Sequence, residues 1–248
     1  MLGVVLGSVV ALSGCAVGGG TGSASRAPEP VRKPLAVSLP EFPATTVEHA
    51  PAPRVLPGVG PAMLARVPAG SRQVLLVTGD GADASTSTAR LYERTDAGWR
   101  PAGASWPAHN GFKGWTGDHR LGDLRSPVGV YGLTAAGGLL PDPGARLPYD
   151  HSGGFSINGT GFEGEPLTGS FDYVVAIDYN REPGTSPRDW TRPLGRAKGG
   201  GVWVHVDHGG PTHACVSIAK RHMKELLRAL DPAKAPVVVM GDVASLSR

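Results

Sequence analysis

Short apolar runs separated by glycine and proline make up most of the chain after residue 55. Continuous apolar character or alternation of apolar and polar positions predicts six strands. They are Gln73–Val77, Thr88–Tyr92, Pro127–Leu133, Phe171–Tyr179, Val202–Asp207 and Val237–Met240. One stretch, Ala219–Leu230, carries apolar residues at the spacing of a helix face: Met223, Leu226, Leu227 and Leu230. The pattern predicts a mainly β domain with one packed helix.

The strand predicted at Val202–Asp207 alternates valine with aromatic and polar residues. Because successive side chains of a strand point to opposite faces, its valines mark the core side and place His205 on the other face, with Trp203 and Asp207. The following Gly209-Gly210-Pro211 predicts a tight return of the chain. We expect that return to bring Cys215 beside His205, just ahead of the predicted helix.

Residues 1–14 contain no charged side chain and end in Leu12-Ser13-Gly14-Cys15, which is the spacing of a lipoprotein signal peptide. Such a segment is too short and too weakly apolar for a permanent membrane span. We predict cleavage before Cys15 and attachment of a diacylglycerol to its thiol, which would hold the protein on the extracellular face of the cell membrane. The alternatives are an ordinary secretory signal, or a start that misses upstream residues.

Residues 15–54 contain three consecutive glycines, seven prolines and few large apolar side chains. This composition cannot bury enough surface to fold and predicts an extended tether. Roughly 40 extended residues reach on the order of 100 Å. The folded domain, residues 55–248, would then lie within the cell wall.

The overall composition is that of a globular domain, with 40% hydrophobic residues in 248 positions. The net charge is +3, and the lysines and arginines are scattered along the chain. A nucleic-acid-binding protein would carry a basic stripe instead, so we expect no nucleic-acid partner. We also expect the protein to be a monomer.

Cys215 is the most informative residue of the chain. The sequence has two cysteines, and lipidation of Cys15 would leave Cys215 without an intramolecular partner. His205, His208 and His213 lie within ten residues upstream. Nearby imidazoles, together with the positive end of the following helix, favour the reactive thiolate. The pattern predicts an activated nucleophile, against the simpler interpretation of Cys215 as a small buried apolar residue.

A zinc site is the competing interpretation of this cluster. We disfavour it because a strand would put His205 and His208 on opposite faces, and because the spacing matches no known zinc motif. We therefore predict neither a metal nor a cofactor. His208 itself is expected to be an exposed turn residue.

Two segments resemble the L,D-transpeptidase family of the YkuD type. His205 followed by Thr212-His213-Ala214-Cys215 is similar to the family's histidine and its Ser/Thr-His-Gly-Cys motif. Gly122–Tyr131 is similar to the family's segment containing Gly-Asp and Thr-Pro-x-Gly. Ile177–Arg181 resembles actinobacterial members. The resemblance extends from about residue 73 to residue 241 and implies a β-sandwich or barrel with one or two short packed helices.

The resemblance also implies a reaction, namely acyl transfer in the peptidoglycan of the cell wall. Cys215 would attack a stem peptide next to its terminal D-alanine, and His205 would act as base and then as acid. The backbone N–H groups of Ala214 and Cys215 would hold the oxyanion, and His213, Thr212 and Ser217 would contact the substrate. The acyl group would pass to an amine, giving a 3→3 crosslink, or to water. The alternative is a weakly active or non-catalytic lipoprotein that binds stem peptides.

The sequence departs from the family pattern in three places. Only six residues separate His205 from Thr212, which is a shorter gap than usual and resembles one subgroup. Ala214 replaces glycine, and Ser217 replaces asparagine or arginine. If position 214 requires a positive φ, its Cβ would cost about 1 kcal/mol, and we would expect reduced activity.

Overall fold

The computed structural model of the protein describes residues 55–248. The predicted signal peptide, Cys15 and the tether therefore lie outside the described residues. Eleven strands form one mixed sheet that curls into a half-barrel, and two further strands form a small separate sheet. The prediction of a mainly β fold is confirmed.

The strands are short, and most of them pair antiparallel. In chain order they are β1 (Gln73–Gly79), β2 (Thr86–Thr95), β3 (Gly98–Pro101), β4 (Trp106–His109), β5 (Trp115–Thr116), β6 (Ser126–Pro127), β7 (Gly129–Gly132), β8 (Ala136–Gly138), β9 (Tyr149–His151), β10 (Val174–Ala176), β11 (Trp203–Val206), β12 (Val216–Ile218) and β13 (Val237–Asp242). The order across the large sheet is β7-β13-β1-β2-β4-β12-β11-β10-β8-β9, and β3 pairs with β2. The pairs β1/β13, β11/β12 and β8/β9 are parallel within it.

Three α-helices accompany the sheet, where the apolar pattern predicted one and the family resemblance implied one or two. They are α1 (Pro61–Leu64), α2 (Lys220–Ala229) and α3 (Val243–Leu246). The predicted helix corresponds to α2, and its four expected apolar residues are all fully buried. Within residues 55–248, none of the helices combines the length and the apolar character needed to cross a membrane.

The six predicted strands all contain strand residues, but their lengths differ from the prediction. The run Phe171–Tyr179 contains only the three-residue β10, and the run Pro127–Leu133 is divided between β6 and β7. The strands that were not predicted, β3, β4, β5, β8, β9 and β12, have four residues or fewer. So few residues show no clear alternation, because a two-residue period needs several repeats to be recognised.

The central strands β1 and β13 are buried on both faces, which explains their continuous apolar sequences. On one face, Leu75, Val77, Val238 and Met240 join the cluster that contains the apolar side of α2. On the other face, Val74, Leu76, Val237 and Val239 pack with Leu56, Met63 and Leu246. The sheet is thus the middle layer of the domain, and α2 covers the face that also contains the core side of β11.

Truncating one buried side chain of α2 tests this packing. Leu227→Ala is expected to lower the free energy of unfolding by about 2–5 kcal/mol, because it removes apolar contacts and leaves a cavity. The control Arg221→Ala alters an exposed residue of the same helix and should change the free energy by less than about 0.5 kcal/mol. Urea unfolding followed by circular dichroism measures both. Equal effects of the two substitutions would contradict the buried position of Leu227.

Candidate active site

The parallel pair β11 and β12 positions the cysteine. In the register of this pair Val204 lies beside Val216, and His205 lies beside Ser217. Cys215, one residue before β12, therefore reaches the first residue of β11. There the backbone N–H of Trp203 donates to Cys215 Sγ at 3.4 Å, and the thiol lies 3.8 Å from the Gly201 carbonyl oxygen.

The chain between these strands is a crossover and not the predicted tight return. Parallel neighbours usually need a connection of a dozen or more residues, often with a helix. Here residues 207–215 alone make the connection, and they run beside the segment that follows β4. Thr212 N–H donates to the Asn110 carbonyl at 2.9 Å, and Phe112 N–H donates to the Thr212 carbonyl at 2.8 Å. The crossover thereby forms one wall of a cavity.

Cys215 and His205 both line this cavity, whose volume is about 240 Å³. Its apolar lining comes from Ile157, Phe162, Leu167, Phe171 and Pro211. His208, Thr212 and His213 also face it. The three valines on the other side of the same stretch, Val202, Val204 and Val206, belong to the core, as the alternation predicted.

His205 is buried and held in one orientation. Its Nδ1 lies 2.9 Å from the Val206 carbonyl oxygen, which only accepts hydrogen bonds, so Nδ1 carries the proton and Nε2 is left as an acceptor. The ring meets Phe171 edge-on at 5.3 Å between centroids and lies parallel to His208 at 5.8 Å. Burial lowers the pKa of His205 to about 4, so the imidazole is neutral at pH 7.

Asp207 does not orient His205, since a backbone carbonyl does so. The carboxylate instead accepts hydrogen bonds from His109 Nδ1 and Ser217 Oγ, each at 2.8 Å. The hydrogen bond between His109 and Asp207 is the main cause of the raised pKa of His109. Ser217 is fully buried and is absent from the cavity lining. This position is inconsistent with the predicted substrate contact, and we reassign Ser217 to the support of Asp207.

The surroundings of Cys215, which is partly exposed, favour the protonated thiol over the thiolate. Burial raises its pKa to about 11, and the hydrogen bond from Trp203 N–H offsets this only in part. The prediction that a helix N-terminus stabilises the thiolate is wrong, because β12 lies between Cys215 and the start of α2 at Lys220. Three strand residues span about 10 Å, and a helix dipole acts only near its first turn.

The turn that carries Cys215 is fixed by two hydroxyl groups. Thr212 Oγ1 donates to the Cys215 carbonyl at 2.7 Å, and Ser126 Oγ donates to the Ala214 carbonyl at 2.8 Å. Ser126 belongs to the Gly122–Tyr131 segment, so the second sequence match lies against the first. Among the described residues, the N–H groups of Ala214 and Cys215 donate no hydrogen bond.

Ala214 is not strained. The non-glycine residues with positive φ in residues 55–248 are Leu124, Asn180 and Ala235. Position 214 therefore does not require glycine for its backbone conformation, and the expected conformational cost of its Cβ is absent. Its side chain packs at the edge of the core.

Of the other predicted substrate contacts, Thr212 is buried and uses its hydroxyl within the turn, whereas His213 is exposed. The His213 ring lies 4.8 Å from Phe162, on the rim of the cavity. The sequence analysis missed the residues that the segment 157–171 contributes. That segment shows no regular pattern, and no sequence signal could have placed it here.

His208 differs from its prediction. Its side chain is only 5% exposed. Because β11 ends at Val206, the rule that alternate strand residues face opposite sides does not apply to position 208, and the ring turns back onto His205. The side chains of His205 and His208 thus lie on the same side of the chain, contrary to the prediction. Even so, no cluster of three His, Cys, Asp or Glu side chains suited to a metal ion occurs within residues 55–248.

Comparison with known proteins gives distant similarities only. A scan against protein-family models and a search of curated proteins found no match. Among solved structures, the cell-shape-determining protein Pgp2 of Campylobacter jejuni has 17% sequence identity and a TM-score of 0.39, over 69% of this chain and 47% of that one. Bd1075 of Bdellovibrio bacteriovorus has 15% identity and a TM-score of 0.38, over 69% and 48%. The chain spans about half the length of these proteins. Similarity at this level supports no conclusion about function.

A pair of glycine substitutions tests the backbone at position 214. Ala214→Gly is expected to lower the free energy of unfolding by about 0.5–1 kcal/mol, because glycine adds freedom to the unfolded chain and relieves no strain. The matched control Ala235→Gly alters a residue with φ of 43° and should be neutral or stabilising, by up to about 1 kcal/mol. Thermal and urea unfolding measure both. A stabilising Ala214→Gly would show that the turn prefers glycine.

Proposed function

We propose that the protein is a cysteine acyltransferase that acts on peptidoglycan stem peptides, with the activity of an L,D-transpeptidase. The observation that carries the proposal is the shared cavity of Cys215 and His205, in which the imidazole keeps Nε2 free to accept a proton. The motif residues around Cys215 provide the substrate class. The distant structural similarities are not part of the argument.

The electrostatics of the resting site determine how such a reaction would begin. Burial disfavours both the thiolate of Cys215 and the imidazolium of His205. A stable ion pair is therefore not formed in advance, and the proton must move as sulfur attacks. In that step the S–H bond breaks, His205 Nε2 accepts the proton, and Sγ bonds to the carbonyl carbon that precedes the terminal D-alanine.

The turn at Thr212–Cys215 would stabilise the developing negative charge. The N–H groups of Ala214 and Cys215 have no acceptor among the described residues, and the carbonyl groups of the turn are held by Ser126 and Thr212. An oriented donor of this kind is worth about 3 kcal/mol of transition-state stabilisation. The hydroxyl groups therefore act on the substrate indirectly, by keeping the N–H groups in place.

The remaining steps need no further group from the protein. His205 returns its proton to the leaving amine, the C–N bond breaks, and D-alanine departs from the thioester. An amine of a second stem then attacks the thioester, its proton passes to His205, and the C–S bond breaks. His205 finally reprotonates the sulfur. A 3→3 crosslink results, or a hydrolysed stem if water attacks.

The proposed location follows from the sequence of residues 1–54. We propose that the diacylglycerol on Cys15 anchors the protein to the membrane and that residues 15–54 extend the catalytic domain into the wall. This arrangement would bring the cavity to a polymer that cannot diffuse to the enzyme.

A second candidate function is binding of stem peptides without turnover. The raised pKa of Cys215 favours it, because a thiol that does not ionise at neutral pH is a poor nucleophile unless a base acts during the attack. Release of D-alanine separates the two candidates, since a binding protein leaves the peptide intact.

Replacing the nucleophile is the direct test. Incubated with a stem tetrapeptide, the wild-type protein should release D-alanine and form a crosslinked dimer, and it should form a covalent adduct with a carbapenem. Cys215→Ala should give none of these three products, because no thioester can form. Ser217→Ala is the control, since Ser217 lies outside the cavity, and it should retain the adduct. Intact-protein and product mass spectrometry measure these outcomes. An adduct that persists in Cys215→Ala would remove Cys215 from its role.

The role of His205 is tested by pH. Without the base, the thiol reacts only in its ionised form, so alkylation of His205→Ala by iodoacetamide should be much slower than wild type at pH 7. Its rate should then rise about tenfold per pH unit towards the pKa of Cys215, about 11. The wild-type rate should depend less on pH in this range, because His205 remains neutral. Identical pH profiles would exclude His205 as the base.

A further inference from the structure

One irregular segment forms a large part of the wall of the Cys215 cavity. Ile157, Gly161, Phe162, Leu167 and Ser170 of this segment all line the cavity. At its end, the Ser170 carbonyl accepts a hydrogen bond from Val206 N–H at 3.0 Å. Most of the segment between these residues has no regular secondary structure. Its position over the thiol therefore depends on side-chain contacts, and we call residues 157–170 the cover segment.

The main polar contact of the cover segment joins Glu165 to His208. Glu165 Oε1 lies 3.0 Å from His208 Nδ1, and the two side chains are only 12% and 5% exposed. Neither atom has a hydrogen-bond partner within the described residues, so the contact between them is electrostatic and is not aligned as a hydrogen bond. The second carboxylate oxygen accepts the Glu163 N–H at 2.8 Å. Glu165 thus bridges its own segment and the crossover that follows β11.

The crossover and the cover segment leave a slot for this carboxylate. A Cβ added at either Gly161 or Gly210 would collide with the Glu165 carboxyl group. Neither glycine has a positive φ, so backbone conformation does not explain their presence. The absence of a side chain at these two positions is what admits Glu165 to its partner.

The contact between Glu165 and His208 also affects His205, because the His208 ring packs against the His205 ring. The His208 ring lies parallel to the His205 ring, at an interplanar angle of 10°. The edge-on ring of Phe171, next to the cover segment, bounds His205 from another direction. Holding His208 in place therefore restricts the plane of His205 as well as the position of the cover segment.

We infer that Glu165 and His208 are positioning residues whose contact holds the cover segment over Cys215 and thereby limits the size of the groups that reach the thiol. The inference deepens the proposed function, on which it rests only in treating Cys215 as the reacting group. A contact between a carboxylate and an imidazole that are both nearly buried suits this task because water and salt screen it less than they screen a contact at the surface. The aromatic contact of Phe162 with Phe112, at 4.6 Å between centroids, lies on the exposed side and adds to it.

Two maleimides of different size test the inference on the full chain. The rate of modification of Cys215 by fluorescein maleimide is divided by the rate with N-methylmaleimide, and the Cys215 peptide is followed by mass spectrometry. Glu165→Ala should raise this ratio about tenfold, the change expected when a buried polar group loses its partner in the closed state. Glu163→Ala, an exposed neighbour in the same segment, should leave the ratio unchanged.

Gly210→Ala provides a second test that keeps both side chains. The added Cβ displaces the Glu165 carboxyl group, so the ratio should again rise. Gly103→Ala, where no atom lies within 4 Å of the added Cβ, is its control. His208→Leu should raise the ratio too, whereas His208→Asn, which keeps an N–H near the position of Nδ1, should retain most of the wild-type value. A merely structural role for His208 would not distinguish leucine from asparagine.

The outcomes separate this inference from the proposed function. An unchanged ratio in folded Glu165→Ala and Gly210→Ala would overturn the positioning role, even if the carbapenem adduct still forms. If Glu165→Ala does not fold, Gly210→Ala decides alone. A raised ratio in both variants, with no adduct and no D-alanine released by the wild type, would support the positioning role and reject the transpeptidase.

Discussion

The parallel pairing of β11 with β12 is the constraint on which the site depends. It places Cys215 beside the first residue of β11 and His205 two residues further along the same strand. A connection without a helix must then cross the front of the sheet, and it carries His208, Thr212 and His213 to the cavity on the way. The residues of the sequence motif line one cavity because two short strands share a direction. Their closeness in sequence alone would not bring them together.

Burial gives this site its chemical character. The apolar side chains that line much of the cavity keep the thiol protonated and the imidazole neutral. The charged side chains near the site contact other residues and not Cys215. Asp207 pairs with His109 and Ser217, and Glu165 pairs with His208. The resting thiol of such a site is a weak nucleophile, because little of it is ionised at neutral pH. Its reactivity would depend on a ligand that fits the cavity and the backbone donors.

Sequence reasoning predicted much of this arrangement, and its failures have physical causes. The apolar runs of β1 and β13 were recognisable because they are continuous, and α2 was recognisable because its apolar residues repeat at helical spacing over two turns. The alternation of valines in β11 correctly separated His205 from the core. The same alternation failed at His208, because the strand ends two residues earlier. The prediction that a helix N-terminus stabilises the thiolate failed because β12 lies between Cys215 and the helix. With three residues, β12 is too short to be recognised in the sequence. The cover segment and its Glu165 contact depend on tertiary packing of irregular backbone, for which a single sequence carries no signal.

The parallel pair β1 and β13 has a consequence for how the protein is made. Val74 lies beside Val237 in this pair. A strand near the N-terminal end of the domain therefore pairs with a strand near the C-terminal end. Contacts between such remote positions slow folding, because a long loop must close before they form. Until synthesis reaches residue 242, the emerging polypeptide exposes an apolar strand with an open edge. Such an edge favours association with other chains until β13 pairs with it.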